Sequence, residues 1–214
     1  MTLLSTAQTQ KRDPQKTRDD WIVAALSALI EEGIEGVRIL KLSKSLGVTR
    51  GSFYWHFENL DELLSAMVAE WRVRNTGIML DVLEQSKTLE DGVLDLFAVW
   101  VDHSKFMPLL DQAIRDWGRR SDDIQALVSQ EDDNRIAAIS AFYQRHGYEK
   151  IEAFVRARVI YFTQLSYYAL VGSEPFEKRK EYLETYFHCF TGRSISAQAS
   201  EAFFSRILGQ KAPS

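Results

Sequence analysis

A chain of 214 residues, 45% hydrophobic and 26% charged with 4 prolines and 11 glycines, can bury a core in one or two domains and leaves room for long helices. Its formal net charge of −4 conceals an asymmetry: residues 1–57 carry 8 basic and 6 acidic side chains, the remainder 18 and 24, so a modestly basic head on an acidic body would meet a polyanion head first. One cysteine, Cys189, excludes an internal disulfide and a cysteine-based zinc cluster, and the lack of a long apolar run excludes a signal peptide and a membrane span, so a cytoplasmic protein with no membrane partner is expected.

Residues 1–16 mix small, polar and charged side chains around Pro14 and are expected to form a flexible N-terminal arm. Lys11, Arg12 and Lys16 make the arm mildly basic, which suits either a groove-contacting arm or a solvated tail. Thr17 with Asp20 three residues on predicts an N-cap. Trp21, Ile22, Ala25, Leu26, Leu29 and Ile30 then repeat at helical spacing up to Gly33.

Residues 37–57, VRILKLSKSLGVTRGSFYWHF, read as two short helices around a tight turn. Ile39, Leu40, Leu42 and Leu46 mark the first, Gly47 is suited to positive φ at its end, and Thr49 is placed to cap the second through the amide of Ser52. In the second helix Phe53 and Phe57, four apart, can point inward with Leu40, Leu42 and Leu46, leaving Arg50, Gly51, Ser52, Tyr54, Trp55 and His56 outside. From residue 38 to 57 there are four basic residues, Arg38, Lys41, Lys44 and Arg50, and no acidic one.

With a Leu-rich short helix before it and Leu63 after it, GVTRGSFYWHF resembles the helix-turn-helix of the tetracycline-repressor (TetR) family of regulators. The resemblance implies an all-α chain: a three-helix DNA-binding domain at residues 17–58, joined by a long helix to a helical bundle at 59–214 that binds a ligand and dimerises. In such a complex the helix from Arg50 to His56 enters the major groove, where Arg50 addresses guanine or touches phosphate only, and Gly51 lets the backbone approach the duplex. Thr49 and Ser52 offer hydroxyls to DNA or to their own helix cap. The resemblance assigns Tyr54 and His56 to phosphate and Trp55 to a variable reading position, with a core role for either ring as the competing reading. Two departures from the family pattern matter: Leu60 replaces a phosphate-contacting Lys, and Val37-Arg38 replaces small capping residues, so Arg38 is the candidate replacement charge.

Asn59 and Glu62 open a further helix through Leu63, Met67 and Trp71 that runs past Gly77. Helices are then expected over 89–103, 107–117, 122–146, 149–170, 175–190 and 197–208, with Gly147, Gly172 and Pro175 at breaks. An effector of unknown identity is expected among Trp100, His103, Phe106, Trp117, Arg158, Tyr161 and Phe162, although aromatic residues at helical spacing are more often plain core and Arg158, which could meet a ligand carboxylate, is better suited to a pair with Asp111, Asp116 or another acid. A homodimer reading a palindromic operator is expected to join through Phe162, Leu165, Ala169, Tyr182, Tyr186 and Phe190, with the monomer core as the alternative. His103, His146, His188 and Cys189 form no recognised metal or catalytic spacing, so neither an enzyme nor a cofactor is expected. The reading is a ligand-responsive DNA-binding regulator, by family default a repressor. The competing one, a helical protein-interaction module without specific DNA binding, leaves Gly51, Tyr54, Trp55 and His56 unexplained.

Overall fold

The computed structural model describes residues 16–170 and 175–210, and all regular structure among them is helical. The basic arm at 1–15 and the break at Gly172 lie outside the described residues. Two compact units divide between Met67 and Val68. The expected division after residue 58 falls nine residues before this point; Leu63 and Met67, which lie between the two, are fully buried.

In the head, α1 (Arg18–Glu32) starts at a complete capping box in which the Thr17 hydroxyl accepts from the Asp20 amide and the Asp20 carboxylate accepts from the Thr17 amide. Helix α2 (Ile39–Ser45) ends at Gly47, which takes φ 71°, a conformation open to glycine at little cost. Helix α3 is shorter than expected, Arg50–Phe53, and continues only as turns through His56. Its core is aromatic: Trp21 meets Phe53 edge-on at 5.2 Å, Phe53 stacks on Phe57 at 5.3 Å, and Arg18 lies 4.6 Å from the Phe57 ring centre. Burying each of these rings contributes roughly 1.5–3 kcal/mol. Leu40 does not join them and is 53% exposed. Two residues from buried Leu42, it falls on the opposite side of α2.

Helix α4 (Leu60–Trp71) is capped as expected, the Asn59 Oδ1 accepting from the Glu62 amide at 2.9 Å. A π-helical turn, Arg72–Gly77, follows and leads into α5 (Ile78–Gln85). Then come α6 (Leu89–Val101), α7 (Pro108–Gly118), α8 (Asp122–Arg145), α9 (Lys150–Leu170), α10 (Phe176–Thr191) and α11 (Ala197–Gln210). Pro175 precedes α10 as its cap residue and not as part of its first turn. The main body core joins Met79, Leu96, Ile139, Phe142, Tyr161 and Phe187, and a smaller cluster joins Leu94, Leu183, Phe203 and Ile207. No helix among the described residues is long and apolar enough to cross a membrane.

A buried polar network ties the body helices together. Asp111 accepts from the Trp71 indole at 2.9 Å, from Arg135 at 3.0 Å and from Arg115 at 2.8 Å. Arg115 also grips both oxygens of Asp132, Arg135 donates to Thr76 at 2.9 Å, and the Tyr161 hydroxyl accepts from both arginines while donating to Asp132. Burial pushes the Asp111 carboxyl up, but Arg135 and Arg115 outweigh it and hold the group below the usual carboxylate range.

Candidate nucleic-acid interface

The turn and α3 place the candidate reading residues on the surface of the head. Arg50, Gly51, Tyr54 and Trp55 are exposed, Trp55 by 83%, while Phe53 and Phe57 anchor the segment from beneath at 0% and 2%. The competing core role for Trp55 is thereby removed. Tyr54 is intermediate in character: its ring leans edge-on against Phe53 at 5.3 Å, yet 54% of the residue faces solvent. Sequence spacing was enough to find this surface, because residues four apart in the helix set the inward face and so define the outward one.

The basic window is more selective than its composition. Lys41 is bonded to Glu32, whereas Arg38, Lys44 and Arg50 are exposed and pair with no carboxylate among the described residues. Arg38 sits at the N-cap position of α2 without a side-chain cap bond, so its cation stands at the positive end of that helix. An anion there relieves both charges.

Two local readings are corrected, those of Thr49 and His56. The Thr49 hydroxyl makes no cap bond, and the Ser52 amide donates instead to the Thr49 carbonyl at 3.0 Å. The Thr49 side chain is exposed, so its hydroxyl is open to an outside acceptor. His56 is only partly exposed and its Nε2 is buried without a partner, which keeps that nitrogen from reaching phosphate in this arrangement. Gly51 is not required by the protein's own packing: a Cβ there would meet only the Thr49 hydroxyl, at 3.7 Å. Leu60, partly buried at the start of α4, offers no charge.

The expected effector residues do not come together. Phe106, Trp117 and Tyr161 are buried core, Phe106 stacking on Tyr168 at 5.8 Å and Tyr161 committed to the polar network. His103 is exposed, and Arg158 forms neither expected pair, since Asp111 is taken by Arg115 and Arg135. Its guanidinium lies over Phe162 at 4.9 Å and Phe154 at 5.6 Å. Of these residues only Trp100 lines the main aromatic cavity of the body. This cavity, ≈ 100 Å³ and open on one side, also involves Phe97, Arg179, Tyr186, Phe190 and Phe203. The reasoning from sequence missed Phe97, Arg179 and Phe203. For Phe97 and Phe203 the signal was the apolar register of α6 and α11, readable only once those helices are known to be neighbours.

The expected seam divides as well. Phe190 and Phe187 are buried in the core of their own unit, whereas Phe162, Tyr182 and Tyr186 are 37%, 37% and 42% exposed. Leu165 is partly buried and Ala169 exposed. One face of α9 instead carries Ile151, Phe154, Val155, Val159 and Phe162 into solvent, spaced three and four apart. Among the described residues no cluster of His, Cys, Asp or Glu could hold a metal.

Comparison with known proteins agrees with this geometry in the head. Residues 22–67 match the family described as bacterial regulatory proteins, tetR family. The chain is 31% identical over 72 residues to the HTH-type transcriptional regulator AcrR of Shigella flexneri, covering 34% of this chain and 32% of that protein. It is 33% identical over 108 residues to the probable acrEF/envCD operon repressor of Escherichia coli K12, covering 50% and 42%. The match thus spans less than half the length of either relative. The fold extends further: the ketosteroid transcriptional regulator KstR2 of Mycobacterium tuberculosis superposes with a TM-score of 0.58 at 13% identity, over 94% of this chain and 98% of that one.

Proposed function

We propose that this chain, whose N-terminal domain belongs to the tetR family of bacterial regulatory proteins, is a transcriptional repressor that binds a palindromic operator as a homodimer and responds to a small molecule held in its body. The observation that carries the reading is the surface of α3 and the turn after it: an unpaired Arg50, a Gly51 that nothing internal requires, and a Trp55 ring left 83% in solvent, all within six residues. An indole left this open beside the exposed Tyr54 ring offers apolar area that a partner can cover. Arg50 reads a base edge, Trp55 packs beside it, and Arg38, Lys44, Tyr54 and Thr49 supply the phosphate contacts that set register.

The homodimer is supported by the apolar stripe on α9 with Tyr182 and Tyr186 beside it, a face that would bury well against its own copy. Two heads give the affinity for a long site that one basic window of this size lacks.

The test is a titration of duplexes from the chain's own genomic neighbourhood at several salt concentrations. Specific binding with log K falling linearly in log salt is expected, and a protein that binds no such duplex better than random DNA is not a specific regulator. In the same assay Arg50→Ala weakens the specific duplex by about 1–3 kcal/mol and random DNA little. Arg38→Ala weakens both alike and lowers the salt slope by about 1. Equal losses for Arg50→Ala would move it to the phosphate group.

A further inference from the structure

Resting on the reading of the body as an effector-sensing domain, we infer that the cavity among α6, α9, α10 and α11 takes a small molecule with a single-ring or short apolar body and one anionic group. Phe97, Trp100, Phe190, Phe203 and Leu183 line the site with largely apolar area. Its volume of ≈ 100 Å³ is close to what one phenyl ring fills, since an apolar cavity of about 150 Å³ holds benzene. The Trp100 wall is braced from behind: its carbonyl accepts from the Tyr168 hydroxyl at 2.6 Å, and the Tyr168 ring stacks on Phe106.

Arg179 lines this aromatic space. Its Nε donates to the Tyr167 hydroxyl at 2.8 Å, and the guanidinium lies 4.5 Å from the centre of that ring, so two contacts fix the group in place. Arg72, Arg115, Arg135, Arg156 and Arg206 each hold a carboxylate. Arg179 holds none among the described residues, and its terminal nitrogens remain open to a bidentate acceptor. Lys180 adds a second cation, lying over Phe204 at 5.1 Å, but it also borders a separate surface hollow with Glu181, Glu184 and Glu201. Arg179 lines the aromatic cavity and not that hollow, so the charge preference is assigned to it. Because Phe203, Trp100 and Arg179 line the same cavity, a ligand whose ring fills the apolar part can offer an anionic group to Arg179.

The experiment is calorimetric titration of the full chain with 3-phenylpropionate, its neutral amide 3-phenylpropanamide and the cationic 3-phenylpropylamine. The carboxylate is expected to bind at least about ten-fold more tightly than the amide, a difference of about 1.4 kcal/mol, and the amine more weakly than either. Arg179→Met should erase the preference for the carboxylate while leaving the amide within about two-fold, and Arg179→Lys, which keeps the cation, should retain part of it. Failure of all three probes to bind, a carboxylate no tighter than the amide, or a preference that survives Arg179→Met overturns the inference. Duplex binding by the same protein separates the two readings: normal operator binding with no probe binding overturns this inference alone, and absent operator binding overturns the regulator whatever the probes do.

Discussion

Gly51 and Trp55 shape the head's surface from opposite directions, one by having no side chain and the other by holding a large ring in solvent. Because an added Cβ at residue 51 meets only the Thr49 hydroxyl at 3.7 Å, Gly51→Ala should leave the head folded and raise its melting temperature, alanine being about 0.5–1 kcal/mol better in a helix. The same variant should lose at least ten-fold in affinity for the specific duplex. Circular-dichroism melting beside the duplex titration checks both; unchanged DNA affinity would mean that the backbone does not approach the groove closely. This layer was legible in the sequence for a geometric reason. Phe53 and Phe57 fix which way the turn faces, and everything between them follows. Leu40 was misread because apolar character alone does not place a residue inward; its spacing from Leu42 places it outward beside the cations.

At the scale of elements, the helices were legible in their caps and periods, but the π-helical turn was not. Nothing in RVRNTG breaks the helical period, and what holds the wider turn is tertiary. Arg72 bonds Glu131 at 2.8 Å, Asn75 donates to the Met107 carbonyl at 3.0 Å, and Thr76 accepts from Arg135. Asp111 sits at the centre of the same network; Arg115 is four residues away, but Arg135 and Trp71 come from 24 and 40 positions away, a pairing that no local pattern announces. Asp111→Asn leaves Arg115 and Arg135 short of a charge and should cost about 3 kcal/mol at neutral pH. Since the folded carboxyl lies below its unfolded value of about 3.9, that contribution is fully present above it and is lost as pH falls through the folded value. Urea unfolding across a pH series should therefore show a constant gap between the variant and the parent down to about pH 4 that narrows below it. A gap that instead grew with acidity would contradict the assigned direction.

For the molecule as a whole, the proposed dimer depends on the α9 face. Helical spacing made that helix legible, while which of its residues stay uncovered depended on how α8 and α10 pack against it, so Ile151, Val155 and Val159 were passed over. Phe154→Asp with Val159→Asp introduces two charges into the face at positions already 47% and 46% exposed, so the monomer's own stability should change little. Sedimentation should then report a monomer. Affinity for a palindromic duplex should fall by about two orders of magnitude while that for a half-site stays the same, the loss being one of linkage between two heads. A variant that remained dimeric would move the seam elsewhere. The chain also has five tryptophans, of which Trp21, Trp71, Trp100 and Trp117 are buried at 0%, 0%, 2% and 8% exposure. Trp55 alone stands open to a dissolved quencher, so the molecule carries an optical label at the spot proposed to touch DNA. Its shielding by acrylamide-resistant contact can be followed without attaching a dye.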